Sequence, residues 1–187
     1  MDRLTLAVLS FSPIESDSRV LRHISTLSST YSIHTIGYGS KPFGAEKHLE
    51  IKSSHSFFEK FFGVCCLVFR RFDSFWKSWF QINQIYQYFV DNKIDLVLLN
   101  DVTSWPLARI LRPGITVLDA HEFSPEELSD NIIWRIFLRP FKIWCSSFSF
   151  LGAHRFCVEP RLCSLWESYS GNVFEYLPNS SYYFESS

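Results

Sequence analysis

The chain has 187 residues, 47% of them hydrophobic, and a formal net charge of −1 at pH 7. This composition excludes a disordered chain and gives no general basis for binding nucleic acid. The length suits one domain, and no apolar run reaches the roughly 18 residues that a membrane-spanning helix needs.

The first quarter of the chain predicts strand, helix and strand in turn. The apolar run LTLAVLSF (4–11) predicts a buried strand. Asp17 then stands where a helix N-cap belongs, before a stretch with apolar residues at helical spacing (18–30). Residues 31–40 alternate in polarity and predict a second strand, and HLEIKSS (48–54) predicts a third.

The middle of the chain is predicted to be helical up to a fourth strand. Residues 57–80 fit one helix, on which the charged residues share about 160° of arc and Phe and Trp fill the rest. A further helix, INQIYQYFVDNK (82–93), leads to the strand DLVLLND (95–101). A short helix is expected around SWPLARIL (104–111), which contains Pro106.

The last third continues the alternation. A turn at Pro113-Gly114 leads to the strand ITVLDAHE (115–122), and a helical region (126–150) that is interrupted or kinked at Pro140 follows. A strand (153–160), a helix (161–170) and a last strand (173–179) complete the pattern. Regular alternation predicts an α/β fold: a Rossmann-like parallel sheet of about six or seven strands with helices on both faces.

Five cysteines occur without a Cys-x-x-Cys pair and without a histidine at zinc-finger spacing. We interpret them as reduced, mostly buried thiols of a cytoplasmic protein, and we expect no metal site. They are Cys65, Cys66, Cys145, Cys157 and Cys163.

Polar residues follow several of the predicted strands, and ligands of open α/β sheets bind where the strands end. We call this the carboxyl edge. His121 is the main titratable group there, as a general base or hydrogen-bond donor, although it could simply satisfy loop backbone groups. Asp17 could be only a helix cap, and Asn100 and Asp101 only turn residues. The candidate binding residues are Ser12, Asp17, Arg19, Asn100, Asp101 and Glu122.

Two kinds of enzyme site are disfavoured by the sequence. The loop after the first strand, SFSPIESDSRV (10–20), contains no glycine and so lacks the phosphate-binding turn of a dinucleotide site. No Gly-x-Ser-x-Gly elbow supports Ser-His-Asp hydrolysis. A small flavodoxin-like or nucleotide-binding domain is therefore a weak alternative.

Five segments in order resemble the N-terminal domain of family 4 glycosyltransferases, a retaining group with the GT-B fold. They are DSRVLR (17–22), DLVLLNDVTSWPLA (95–108), VLDAHEF (117–123), GAHRFCVEPRLCSLW (152–166) and YLPNSS (176–181). The chain departs from the family pattern at His154, where Asp is usual, and at Glu159-Pro160, where Val-Ser is usual.

The resemblance implies one half of a two-domain enzyme. The N-terminal half (1–180) would bind a polysaccharide or lipid-linked acceptor of cell-envelope synthesis, with His121 catalytic and the other carboxyl-edge candidates contacting the acceptor. The nucleotide-sugar donor would bind only a C-terminal domain, which would begin in the tail 181–187, and no metal or other cofactor is implied. Without that domain we expect no transferase activity. A truncated enzyme, a subunit that pairs with a separate donor-domain chain and a decayed gene product all fit.

Two aromatic and basic regions, 57–80 and 131–150, suggest peripheral contact with the inner face of a membrane. The alternative is that their aromatic faces pack on the sheet or on the missing domain. Outside the enzyme class, the chain could be a non-catalytic α/β interaction module that binds a partner chain.

Overall fold

A seven-stranded sheet, parallel throughout, forms the centre of the computed structural model, which describes residues 3–111, 114–126, 131–132 and 134–178. The order across the sheet is β3-β2-β1-β4-β5-β6-β7. The predicted Rossmann-like α/β fold with six or seven parallel strands is therefore confirmed. The strands are β1 (Thr5–Pro13), β2 (Ser32–Tyr38), β3 (Lys47–Glu50), β4 (Leu96–Leu99), β5 (Ile115–Ala120), β6 (His154–Cys157) and β7 (Glu175–Tyr176).

The strand order reverses between β1 and β4. The chain runs outward from β1 to β3 in one direction, then returns to place β4 on the other side of β1 and continues to β7. Leu6 of β1 pairs with Ile33 of β2 on one side and with Leu96 of β4 on the other. Loops diverge at such a reversal and leave a crevice at the carboxyl edge, which is where ligands of this architecture bind.

The helices are distributed unequally over the two faces of the sheet. On one face α1 packs over Leu6 and Val8, whereas the buried hydrophobic residues of α2 to α6 join the core on the opposite face. The α-helices are α1 (Ser18–Leu27), α2 (Phe57–Val68), α3 (Phe72–Trp79), α4 (Ile82–Asn92), α5 (Arg139–Ser146) and α6 (Pro160–Ser170). Short 3-10 helices span Val102–Arg109 and Ser149–Leu151.

Side-chain caps define where two helices begin. Oδ1 of Asp17 accepts hydrogen bonds from the backbone N–H groups of Arg19 and Val20, so the predicted N-cap of α1 is confirmed. Ser56 and Glu59 form a reciprocal capping box at the start of α2.

The prediction of one helix through residues 57–80 is wrong. The helix is interrupted between α2 and α3, where Arg70 adopts a positive φ of 52°. The break lets α3 fold back onto α2, and a Cβ on Gly63 would lie 3.0 Å from the Trp79 ring. Phe75 and Trp76 of α3 consequently reach the core, so a single helical wheel does not describe this region.

The helical region is interrupted at Pro140, one of the two predicted forms, and is not a single kinked α-helix. A π-helical turn, Trp134–Leu138, precedes α5, and Pro140 lies in the first turn of α5, where its missing N–H costs little. Parts of several predictions fall on residues 112–113, 127–130 and 133, which lie outside the described residues. The same holds for the domain boundary at residue 180 and for the 181–187 tail.

All five cysteines are free thiols, and four of them are buried, as predicted. Within the described ranges, no helix combines the length and the apolar character needed to cross a bilayer.

Candidate functional site

The reversal of strand order brings the ends of β1 and β4 together. Oδ2 of Asp101, just after β4, accepts hydrogen bonds from the Ser10 hydroxyl and from the Phe11 backbone N–H, each at 2.7 Å. Gly37 of β2 leaves room for the irregular end of β1, since a Cβ there would lie 2.7 Å from the Ser10 carbonyl oxygen. Asp101 therefore fixes the loop that carries Ser12 toward α1.

Ser12, Asp17 and Arg19 extend this network to the start of α1. The Ser12 hydroxyl donates to Oδ2 of Asp17 at 2.8 Å and lies 2.8 Å from the Ser10 hydroxyl. The Arg19 guanidinium lies 3.6 Å from Asp17 and 3.8 Å from Asp101, so one cation faces two carboxyl groups.

Ser10 and Ser12 link the two carboxyl groups through three oxygen–oxygen contacts: Asp101–Ser10, Ser10–Ser12 and Ser12–Asp17. Burial raises the pKa of Asp101, and its hydrogen bonds and Arg19 only partly oppose this rise. Burial also acts on Asp17, but there Ser12 and Arg19 prevail and lower its pKa. The two carboxyl groups of one network thus shift in opposite directions.

His121 follows directly after β5 and is held by the adjacent strand. Its Nε2 contacts the backbone carbonyl of Asn100, so this nitrogen carries the proton and donates it. Its Nδ1 then has a lone pair and lies 3.4 Å from Oδ1 of Asp119. The ring therefore does satisfy a loop carbonyl, and it also presents a basic nitrogen beside a carboxyl group.

His23 of α1 approaches the same carboxyl group from the opposite side. Its Nδ1 lies 3.1 Å from Oδ1 of Asn100 and donates to it, while its Nε2 lies 3.7 Å from Oδ2 of Asp119. Asn100 is fully buried, and its amide N–H donates to the Leu9 carbonyl oxygen. Because its side chain is used internally, Asn100 positions His23 instead of facing a ligand.

The environment keeps both imidazoles neutral. Burial, followed by the charge of Arg19, lowers the pKa of His121 to about 3 and that of His23 to about 4. Burial raises the pKa of Asp119 to about 7 although Arg19 opposes this shift. Near neutral pH both imidazoles are thus neutral, and Asp119 is the group of the three that titrates.

Glu122 lies apart from this cluster. Its carboxylate accepts a hydrogen bond from the Ser124 hydroxyl at 3.2 Å and lies 3.7 Å from Nζ of Lys142 on α5. Its carbonyl oxygen accepts from Nε1 of Trp166 at 3.2 Å. The structure thus brings Ser12, Asp17, Arg19, Asn100, Asp101 and His121 together, and turns Glu122 toward α5 and α6.

Two buried nitrogen atoms at the site have no hydrogen-bond partner among the described residues: Nε of Arg19 and Nδ1 of His121. Buried polar atoms are normally paired, because an unpaired one loses the free energy of its hydration. One atom is a donor and the other an acceptor. The two atoms thus leave one donor and one acceptor of the site unused within the described part of the chain.

A cleft of about 590 Å³ adjoins the cluster on the α1 face of the sheet. His23 and Asp119 form part of its wall, and apolar side chains of the central strands form much of the rest, including Leu6, Leu98, Val117 and Phe156. The cleft exists because α1 covers β1 and β2, and no other described helix packs beside it on this face.

Sequence reasoning missed His23 and did not select Ser10 or Asp119 as site residues. His23 follows Arg19 by four positions, so a helix that starts at the carboxyl edge places both on one face, and this signal could have identified it. Within the described part of the chain, no three His, Cys, Asp or Glu side chains are grouped so as to hold a metal ion.

Comparison with known proteins adds no family to these observations. No protein-family model matches the chain, and no curated protein is significantly similar to it. The fold and the geometry at the carboxyl edge are therefore the basis for a functional proposal.

Proposed function

We propose that this chain is the acceptor-binding half of a retaining GT-B glycosyltransferase of family 4, acting in the cytoplasm on a polysaccharide or lipid-linked acceptor. The observation that carries the proposal is the pair of unpaired, buried nitrogen atoms on Arg19 and His121 where the strand order reverses. A sugar hydroxyl can accept a hydrogen bond from Nε of Arg19 and donate one to Nδ1 of His121.

The state of His121 defines the role we propose for it. Its pKa of about 3 makes the ring a weak base, and its one N–H is used by the Asn100 carbonyl oxygen. His121 accordingly orients an acceptor hydroxyl through the lone pair of Nδ1. Asn100 is a positioning residue, since its carbonyl oxygen fixes the tautomer and the orientation of the ring.

The charges at the site favour an uncharged sugar over a phosphate group. Asp17 already occupies the backbone N–H groups at the start of α1, which could otherwise bind an anion. Asp17 and Asp101 both face Arg19, the cation of this network. We therefore propose that a separate domain or partner chain binds the nucleotide-sugar donor.

Ring signals of His23 and His121 in NMR spectra test this proposal. The purified protein is titrated with oligosaccharides of glucose, galactose, mannose and N-acetylglucosamine, and separately with UDP-glucose and GDP-mannose. We expect one saccharide series to shift the His121 signal and the nucleotide sugars to leave it unchanged. Arg19→Gln should weaken the saccharide response, whereas His154→Gln, remote from the cluster, should not. Shifts caused only by the nucleotide sugars would overturn the proposal.

A transfer assay checks the need for a donor-binding domain. With radiolabelled donor and the saccharide that binds, we expect the isolated chain to give no labelled product. Product formation by the chain alone would contradict the proposed division of labour, while leaving acceptor binding intact.

A second candidate is a non-catalytic module that binds a partner chain. The apolar cleft beside α1 favours it, because protein segments commonly cover such exposed strand surfaces. The same titration separates the two candidates, since an interaction module would leave the His121 signal unchanged with every saccharide.

A further inference from the structure

The outward face of α2 is apolar, which is the reverse of the usual arrangement in a surface helix. Within this helix only Gly63 and Cys66 are buried. Large apolar side chains on and next to it are between 48% and 81% exposed: Phe57, Phe58, Phe61, Phe62, Val64 and Phe69. Contiguous exposed apolar patches of this kind mark interaction surfaces.

The fold does not use these side chains, because α3 supplies the aromatic part of the core instead. Phe75 and Trp76 of α3 are buried, and α2 packs against α3 through the narrow strip at Gly63, which lies against the Trp79 ring. The aromatic residues of the predicted 57–80 helix thus divide into an inward set on α3 and an outward set on α2.

The 131–150 region divides in a similar way. Trp134 and Phe141 are buried in the core, whereas Ile132 and Ile136 are exposed beside the charged side chain of Arg135. The π-helical turn that carries Ile136 is a neighbour of α2. Exposed Ile136 thus lies on a segment that contacts α2.

The charges around this surface are positive in excess. Glu59 is paired with Lys52, and Asp73 is paired with both Lys77 and Arg109. Exposed cations at the two ends of α2 have no acidic partner among the described residues: Lys60, Arg70 and Arg71. The positive charges of these side chains are therefore not neutralised within the described residues, and an anionic partner could supply the negative charges.

We propose that the outward face of α2 docks on an anionic lipid bilayer. The helix lies in the plane of the interface, with Phe58 and Phe61 in the acyl boundary and Lys60, Arg70 and Arg71 beside lipid phosphates. A convex, aromatic helix face flanked by unpaired cations suits a fluid anionic surface, which needs no complementary groove. This inference does not depend on the proposed glycosyltransferase function.

Flotation with lipid vesicles tests the inference without any sugar ligand. The purified chain is mixed with vesicles of phosphatidylcholine alone or of phosphatidylcholine with phosphatidylglycerol. We expect binding to the anionic vesicles, weaker binding at high salt, and little binding to the neutral ones. No flotation with anionic vesicles at low salt would overturn the inference.

Surface variants separate this specific docking from general stickiness. The double variant Phe58→Ser, Phe61→Ser should reduce vesicle binding at least about tenfold. Each substitution removes most of the apolar area that the side chain buries in the bilayer on binding. Replacing Lys60, Arg70 and Arg71 by Gln should weaken it about fivefold per cation removed. Phe43→Ser is the matched control, because Phe43 is 99% exposed and lies outside α2.

Size-exclusion chromatography addresses the main rival occupant, a second copy of the chain. The inference predicts a monomer in solution and the same elution volume for wild type and for the double Phe variant. A dimer that dissociates in that variant would assign the face to self-association and overturn lipid docking, as would unchanged flotation of the variant.

Discussion

Oδ1 of Asp119 lies 3.4 Å from Nδ1 of His121, but the two groups do not form an ion pair. The His121 proton is on Nε2, where the Asn100 carbonyl oxygen accepts it, so the carboxyl group faces a lone pair. His23 presents a second lone pair to the same carboxyl group from 3.7 Å. Burial raises the pKa of Asp119, and the charges of Asp101 and Asp17 add to that rise, although Arg19 opposes it.

This arrangement predicts that the three groups together make stability rise with pH up to about pH 7 and change it little above that. Between about pH 4 and 6.5 the unfolded chain protonates both imidazoles, whose folded pKa values are about 3 and about 4, while only the folded state protonates Asp119. The unfolded state then binds one more proton, so stability rises by about 1.4 kcal/mol per pH unit. Near pH 7 the imidazoles of the unfolded chain lose their protons over the same range in which folded Asp119 ionises, so the two effects nearly cancel and stability levels off.

Urea unfolding at a series of pH values measures this profile, and Asp119→Asn isolates the carboxyl contribution. In the variant the rise between about pH 4 and 6.5 should be about twice as steep, because Asn takes up no proton in the folded state and the two imidazoles alone then set the slope. An unchanged slope in Asp119→Asn would show that Asp119 does not take up a proton in the folded state.

A second prediction concerns Arg19 as a source of the low imidazole pKa values. After burial, its charge is the largest cause that lowers the pKa of His121. Arg19→Gln should therefore raise the pKa of His121, which an NMR titration of the ring signals measures. Arg22→Gln is a matched control, because Arg22 lowers the pKa of His23 and is not a cause of the His121 shift. An unchanged His121 pKa in Arg19→Gln would contradict the assigned cause.

The sequence was sufficient for features that depend on local patterns. Apolar runs of strand length predicted the strands, and apolar residues at helical spacing predicted the helices between them. Asp17 predicted the start of α1. The break after α2 could not be predicted, because residues 69–71 contain neither Gly nor Pro. It depends on the contact between Gly63 and Trp79, which exists only once α3 has folded back.

At the candidate site, too, local patterns predicted some features, whereas others depend on tertiary contacts. The rule that strand ends share one edge grouped Asp101 with His121, although the two are 20 positions apart in sequence. It did not predict that Glu122 turns toward Lys142 or that Asn100 is buried, because a period-2 pattern does not continue past the end of a strand.

A third prediction follows from the buried amide of Asn100. Asn100→Ala removes the acceptor of the His23 N–H and the donor to the Leu9 carbonyl oxygen, and it leaves a small cavity. We expect a loss of about 1–3 kcal/mol in the free energy of unfolding. Asn83→Ala on α4 is the control, since Asn83 is exposed and should change stability by less than about 0.5 kcal/mol. Equal stability of the two variants would contradict the positioning role.

The fourth prediction tests how close packing of β2 against the end of β1 supports the site. In Gly37→Ala the new methyl group would lie 2.7 Å from the Ser10 carbonyl oxygen, and this backbone atom cannot move without shifting the end of β1. We expect a loss of about 1–3 kcal/mol in the free energy of unfolding. The amide NMR signal of Phe11, which donates to Asp101, should also move.

Gly171→Ala is the comparison that separates this steric effect from backbone strain. Gly171 has φ +70° and nothing within 4 Å of its added Cβ, so Ala there costs about 1–2 kcal/mol through the backbone conformation alone. Both variants should unfold at lower urea concentration, but only Gly37→Ala should shift the Phe11 amide signal. A shift in both would mean that the signal reports general loosening, whereas a shift in neither would show that β1 tolerates the added methyl group.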